Sequence, residues 1–377
     1  MLLVDDFTII VGAVLIIFLL LALFADVFFR KLPQQEESSV ELKPISVVII
    51  ADNNSAELEN NLPLFLSQDY PAGYEVIVVV SKDEDGTDDV LKAYSAHVNL
   101  HVTFVPNSSR YMSNRKLAIT LGVKAAKNEW ILLTDADCYP ATNEWISTMA
   151  SHIHTDTNLI MGYNQYTLDK KAFYRFEFFR RVYVSLLEAA DTAYSCVARN
   201  IMFKKNSFMA GYGFRGSLKY LRGEYDFLVN KYASQGTTSI VTDESATLIE
   251  KSPSHKMLIN RLMYYLSVRK ILQRSRKHVL CASLDMLTLY LSLCANLVVF
   301  VYSLLQVNLL LLGISILCLI LLIFLRTFNA LKAIKKLDME LPAWKLFLFE
   351  IRLLWHNMYG LLKYWKADKI DFISHKS

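Results

Sequence analysis

Asp135-Ala136-Asp137 is the segment of this sequence richest in chemical content. The apolar run Trp130-Ile131-Leu132-Leu133-Thr134 leads into it, and Pro140 keeps that run from continuing as a strand. Two carboxylates two positions apart, leaving a strand, can approach a divalent cation held by a diphosphate. Hard cations such as Mn²⁺ and Mg²⁺ take oxygen ligands and keep positions open for phosphate. The plainer alternative is a pair of turn aspartates. Two other patterns carry less. His152-Ile153-His154 has no third ligand nearby in sequence and reads as an exposed helix end. Gly211-Tyr212-Gly213-Phe214-Arg215-Gly216 spells Gly-x-Gly-x-x-Gly, but it follows a predicted helix, Lys205–Ala210, and not the first strand of a βαβ unit. Gly211 reads as a helix C-cap, which argues against a membrane oxidoreductase.

The acidic pair needs a scaffold, and the sequence supplies one. Ile45 to Ile50 is a nearly continuous apolar, β-branched run, the signature of a buried parallel strand. Ala56 to Ser67 has helical spacing, and Glu75 to Val80 is a second strand. Asp88 to Ala96 reads as helix, Val102 to Val105 as strand, Lys116 to Lys127 as helix and Trp130 to Thr134 as a fourth strand. This alternation predicts a doubly wound α/β sheet, in which ligands bind beyond the carboxyl ends of the strands.

The ends of the chain are different. Of its 377 residues 53% are hydrophobic, and the excess lies at the two ends. The run Phe7 to Phe29 carries no charge before Asp26 and is long enough to span a bilayer. Asp5 and Asp6 stand where a signal peptide has its basic region, and no small-x-small cleavage site ends the run. Val279 to Leu325 contains no Lys or Arg and breaks at Gln306-Val307-Asn308, which predicts spans over about 284–305 and 308–325. Asp285 is expected at the membrane interface. Arg30 and Lys31, the cluster from Arg269 to Lys277, and Arg326, Lys332, Lys335 and Lys336 all fall on one side, which the positive-inside rule makes cytoplasmic. Cationic residues beside apolar runs at a net charge of only +4 suit anionic lipid, not nucleic acid. Five scattered cysteines suit a reducing compartment. The expected division is an anchor (1–31), a polar linker (32–44), an α/β domain (45–250), a basic juxtamembrane segment (251–278), a transmembrane hairpin (279–326) and a cytoplasmic amphipathic tail (327–377). Within the tail, Trp344 to Trp365 reads as an interfacial helix. The aromatic stretch Phe173 to Tyr183, with Arg175, Arg180 and Arg181, reads as an amphipathic helix on the sheet or membrane surface, or else as part of an acceptor site.

Several segments together resemble the family-2 glycosyltransferases. They are Ser46 to Asn54 with Leu62-Pro63 and Gln68-Asp69-Tyr70-Pro71; Lys116-Leu117-Ala118 with Leu121-Gly122; Leu133 to Cys138; Arg199 to Lys205; and Gly223-Glu224-Tyr225-Asp226-Phe227-Leu228. The resemblance spans roughly 45–250 and implies a GT-A, Rossmann-like nucleotide-binding domain with one N-terminal and two C-terminal transmembrane helices. By the same resemblance Asp137 would ligate Mn²⁺ or Mg²⁺, and Asp135 would face the ribose or the metal. Ala51 and the adjoining backbone to Asn53 would contact the nucleobase, and Lys116 would lie near the nucleotide. Glu224 or Asp226 would act as general base toward an acceptor hydroxyl. The implied reaction moves a sugar, with inversion, from a nucleotide-sugar donor such as a UDP-sugar to a lipid-linked or glycan acceptor.

This sequence departs from the family pattern at four places. Asn54 stands where an acidic residue is usual. Ser81 stands where an aspartate usually ends the second strand, with Asp83, Glu84 and Asp85 close by as substitutes for nucleotide contact. Tyr225 stands at the usual base position. No Gln-x-x-Arg-Trp occurs; Asn260-Arg261-Leu262-Met263-Tyr264-Tyr265 occupies that stretch, which argues against a processive synthase. These departures leave a second reading, a catalytically degenerate glycosyltransferase-like scaffold or binding subunit.

Overall fold

The computed structural model describes residues 5–33, 42–82, 85–106, 113–169 and 171–372. Asp83, Glu84 and most of the expected linker lie outside the described residues. The chain forms two compact units, one of residues 1–31 with 274–356 and the other of residues 32–273 with 357–377.

In chain order the elements begin with α1 (Asp6–Phe24). The second unit follows with β1 (Ile45–Asp52), α2 (Ser55–Leu66), β2 (Tyr74–Lys82), α3 (Thr87–Ala93), β3 (Leu100–Phe104), α4 (Asn114–Ala125) and β4 (Trp130–Asp135). It continues with β5 (Cys138–Pro140), α5 (Trp145–Ala150), β6 (Leu159–Met161), β7 (Asn164–Tyr166), α6 (Ala172–Thr192), β8 (Ile201–Lys204) and α7 (Lys205–Ala210). It ends with α8 (Glu224–Tyr232), β9 (Thr238–Ile240), β10 (Leu248–Glu250) and α9 (His255–Arg269). The last helices are α10 (Ser275–Leu305), α11 (Leu309–Lys336) and α12 (Leu346–Lys366).

The main sheet has the order β3-β2-β1-β4-β8-β6-β9. Its first four strands are parallel, and β8 runs antiparallel to β4. β1 sits near the middle and is buried from Ile45 through Ala51, which explains its unbroken apolar composition. Helix α4 lies so close to the sheet that a Cβ on Gly122 would come 2.5 Å from Val48 Cγ1 and 3.0 Å from Val79 Cγ2; only glycine allows that approach. A three-stranded sheet, β5-β10-β7, carries the acidic segment onward from β4.

In the other unit, α1, α10 and α11 are long and apolar enough to cross a membrane. They pack through Leu15, Leu19, Ala22, Leu289, Cys318 and Leu322, while Ile9, Ile16, Ile17, Leu20 and Leu297 stay exposed. The predicted break at Gln306-Val307-Asn308 is the turn between α10 and α11. Val307 is left-handed there (φ 52°), and Asn308 Oδ1 accepts from Leu311 N (3.1 Å) to cap α11.

Asp285, expected at the membrane interface, and Arg326, counted among the cations after the third span, meet inside this unit. Both are buried within this unit. Arg326 Nη2 donates to Asp285 Oδ1 (2.9 Å), Nε to Glu350 Oε2 (2.7 Å) and Nη1 to the Ala22 carbonyl (2.8 Å), with Asp26 Oδ1 at 3.7 Å. A guanidinium whose donors are met by carboxylates tolerates burial that an isolated charge would not. Helix α9, inside the expected juxtamembrane segment, belongs to the α/β unit and buries Leu258, Ile259 and Leu262. The expected tail 327–377 is divided between the units at residue 356.

Candidate active site

A cavity of about 420 Å³ opens where β1 and β4 end, the place a doubly wound sheet reserves for ligands. Ile50 and Asp52 come from β1, Asp135 from β4, and Asp137 from the turn beyond it. Glu224, Tyr225 and Asp226 come from the first turn of α8, whose N-cap Gly223 is left-handed (φ 91°). Phe178 and Arg181 of α6, and Arg261, Tyr264 and Tyr265 of α9, form another wall.

The acidic pair faces arginines. Asp135 accepts from Arg115 Nη2 at both oxygens (2.7 and 2.6 Å) and from the Tyr225 hydroxyl (3.1 Å), and pairs in charge with Arg199 Nε at 3.0 Å. Burial pushes the Asp135 carboxyl upward, but Arg115 and Arg199 outweigh it and hold the group below the usual carboxylate range. Asp137 accepts from Arg199 Nη1 at both oxygens (2.7 Å each), with Arg261 Nη2 at 3.6 Å. Glu250, at the end of β10, accepts from Arg261 Nη1 and Asn164, and lies 3.3 Å from Arg199 Nη1. Burial keeps Tyr225 a neutral phenol, so at the usual base position it is a donor to Asp135.

Glu224 and Asp226 flank Tyr225 and both reach the cavity, because a helix start turns successive residues by about 100° where a strand would alternate them. Glu224 Oε1 is buried with no hydrogen-bond partner among the described residues and lies 3.9 Å from Arg115 Nε. Asp226 Oδ1 accepts from the Cys196 N–H (3.1 Å). Desolvation pushes the Asp226 carboxyl up to about 7, against the Cys196 bond and with help from Glu224. A carboxyl poised near neutrality in a cleft suits proton transfer.

The other expected site residues are placed differently. Lys116 does not line the cavity. It is fully buried, donates from Nζ to the Ser217 and Tyr220 carbonyls (2.6 Å each) and sits over the Phe227 ring (4.7 Å). Desolvation lowers it to about 8, and it anchors the loop entering α8. Arg115, one residue earlier and therefore on another helix face, takes the cavity position. Ala51 points into the core between the cavity-lining Ile50 and Asp52, as strand alternation requires. Asn53 does not line the cavity; it is left-handed (φ 56°) and lies in the turn where Asn54 Oδ1 accepts from Asp52 N (2.8 Å). Asp85 holds the start of α2 by accepting from Ser55 N (2.8 Å) and from Thr87; Asp83 lies outside the described residues.

His152 is buried, correcting the exposed reading, with Nδ1 3.1 Å from the Thr148 carbonyl. The Gly211–Gly216 loop turns carbonyls toward a cation: Gly211, Gly213 and Arg215 accept from Lys231 Nζ. A phosphate loop would present N–H groups instead. Sequence reasoning quoted Arg199 and Arg261 only as parts of a strand and of an unmatched motif, and it missed Arg115 and Glu250. No local pattern marks arginines that converge from three separate segments.

Among the described residues, no three His, Cys, Asp or Glu side chains gather closely enough to hold a metal ion. The donor set nevertheless has the chemistry a divalent cation needs: three carboxylates, of Asp135, Asp137 and Glu250, converge on one cation, the Arg199 guanidinium.

The mixed α/β sheet with this cavity at its strand ends has the Rossmann-like, GT-A arrangement. Residues 46–210 match the family model Glycosyl transferase family 2, and the chain carries a glycosyltransferase domain of that family. Among solved structures, the mannosyltransferase PcManGT from Pyrobaculum calidifontis, in complex with GDP-Man and Mn²⁺, aligns over 88% of this chain and 99% of its own. Its TM-score is 0.53 at 17% identity, a likeness of fold. TarS 1–349 of S. aureus, in complex with UDP-GlcNAc, aligns over 83% of this chain and 92% of its own at 14% identity and a TM-score of 0.42. No curated protein sequence matches the chain.

Proposed function

We propose that the protein is an inverting, metal-dependent hexosyltransferase that moves a sugar from a nucleoside-diphosphate donor to a lipid-linked or glycan acceptor. The reading rests on one observation: Asp226, pushed up to about 7, shares a cavity with Asp135 and Asp137. Asp226 takes the proton of the acceptor hydroxyl. The oxygen attacks the anomeric carbon, the bond from that carbon to the diphosphate oxygen breaks, and the nucleoside diphosphate leaves with the electron pair. One displacement inverts the centre. Asp137 with Asp135 would hold Mn²⁺ or Mg²⁺, which when bound would supply positive charge for the leaving diphosphate. Arg115 and Arg261 add donors beside it, and Tyr225 fixes the orientation of Asp135. Phe178, Tyr264 and Tyr265 offer aromatic surface for the acceptor.

The catalytic unit faces the cytoplasm at an inner membrane in this reading, supported by the basic residues beside the three apolar helices. Tyr225 at the usual base position favours a second reading, a degenerate scaffold that binds without turnover. The test is binding of UDP and of GDP (the nucleotide of the Pyrobaculum complex) to the purified full chain in detergent, with and without Mn²⁺. Mn²⁺-strengthened binding that disappears in Asp137→Ala is expected, and sugar transfer separates enzyme from scaffold. A folded protein that binds neither nucleotide would remove the donor site altogether.

A further inference from the structure

The Arg199 side chain stands where a cation is wanted. Nη1 bonds both oxygens of Asp137 at 2.7 Å, Nε lies 3.0 Å from Asp135 Oδ2, and Nη1 lies 3.3 Å from Glu250 Oε1. We propose that Arg199 is a displaceable stand-in for the divalent cation: its guanidinium holds the carboxylates while the donor site is empty, excludes metal alone, and yields its place to the metal only when a diphosphate arrives with it. The inference rests on the nucleotide-sugar reading of the same cavity.

Three features of the site support it. The first is anchorage. The root of Arg199 is fixed independently of the carboxylates that hold its head. Its N–H donates to Asn164 Oδ1 (3.3 Å), and the next residue, Asn200, donates to the Tyr163 and Ala246 carbonyls and accepts from Trp145 Nε1. The side chain, 17% exposed, borders the open cavity, so its head can swing without moving β8. The second is what its departure leaves behind. Asp135 keeps Arg115 and the Tyr225 hydroxyl, and Glu250 keeps Arg261 and Asn164. Among the described residues, Asp137 keeps the Cys138 thiol (3.8 Å) and Arg261 at 3.6 Å, the weakest remaining set of the three. Release of Arg199 therefore frees chiefly the one carboxylate that the family resemblance assigns to the metal.

The third is charge. Asp135, Asp137, Glu224 and Glu250 face Arg115, Arg199 and Arg261 in one network, which leaves the site close to neutral. A bare dication would add two positive charges beside three guanidinium groups. A dication carried on a diphosphate adds almost none, and the diphosphate oxygens give the released guanidinium a new bidentate partner.

The experiment is Mn²⁺ binding to the purified full chain without nucleotide, read by the electron paramagnetic resonance signal of free Mn²⁺. Wild type is compared with Arg199→Gln, which removes the charge, and with Arg199→Lys, which keeps a charge that cannot bridge three carboxylates. Arg199→Gln is expected to bind Mn²⁺ alone at least about tenfold more tightly than wild type, with Arg199→Lys between them. The gain should vanish in Arg199→Gln/Asp137→Ala. In wild type, adding UDP should tighten Mn²⁺ binding by at least about tenfold, a measurement that stands even if Arg199→Gln does not fold. Folded Arg199→Gln with wild-type Mn²⁺ affinity, or wild type that binds UDP yet binds Mn²⁺ equally well with and without it, would overturn the proposal. Failure of the donor reading looks different: no UDP binding at any Mn²⁺ concentration, while Mn²⁺ still binds Arg199→Gln more tightly than wild type.

Discussion

Two arginines in this protein do the same chemistry in opposite settings. Arg199 meets Asp135, Asp137 and Glu250; Arg326 meets Asp26, Asp285 and Glu350. Each is a guanidinium among three carboxylates. The side chain of Arg199 is 17% exposed and borders a cavity, whereas that of Arg326 is 2% exposed and also donates to the Ala22 carbonyl. Arg326 ties together residues of α1, α10, α11 and α12 or their immediate ends, and its side chain is almost wholly buried. An ion cluster sealed from water is a fastener, because breaking it strands unpaired charges. An ion cluster open to water is exchangeable, because its members can be solvated when they part.

The largest expected effect tests this contrast directly. Arg326→Met should destabilise the protein by about 3–5 kcal/mol, the range for removing one partner of a buried ion pair. Arg199→Gln should cost less than about 2 kcal/mol, since water and Arg261 remain for Asp137. Thermal unfolding in detergent compares the two; equal losses would break the distinction.

Next in size is Asp226→Asn. It should lower turnover by about 10²–10⁴-fold while leaving UDP binding within a few-fold of wild type. Wild-type turnover should rise as pH passes through about 7, because the base must be ionised, and the variant should lose that rise. The stability consequence has the opposite sign. The folded-state value lies above the unfolded 3.8, so the folded protein holds the proton better, and stability falls as pH climbs from about 4 to about 7. Asp226→Asn should flatten that slope in a series of melts.

The smallest effects concern the outer donors of each cluster. Asn329 Nδ2 donates to Asp26 Oδ2 (3.1 Å) in the sealed cluster, and Tyr225 donates to Asp135 in the open one. Asn329→Leu should cost about 1–3 kcal/mol by leaving a buried carboxylate oxygen unsatisfied. Tyr225→Phe should cost under about 1 kcal/mol, since Asp135 retains Arg115 and Arg199. Denaturant titration of both variants would show whether burial or partner count governs the loss.

The scaffold was readable because its signals are local. β-branched runs announced β1, β2 and β4 within a residue or two of their ends, and uninterrupted apolar composition announced α1, α10 and α11. Asp135 and Asp137 were legible for the same reason: a strand end and a proline bracket them. The partners of those aspartates were not. Arg115, Arg199, Arg261 and Glu250 come from α4, the approach to β8, α9 and the end of β10, and no periodicity links them. The exchange of Lys116 for Arg115 depended on which face of α4 meets the sheet, and Gly122 sets that face by its contact with Val48.

Composition and period alone determined the α/β alternation, the three apolar helices and the acidic pair at a strand end, since each follows from residues adjacent in the chain. Folding decided which cations those carboxylates meet, that Tyr225 is a donor and not a base, and that Arg326 is buried among three carboxylates. Charge pairing over long sequence separations depends on distance in space and on access of water, and neither quantity is written in the order of residues.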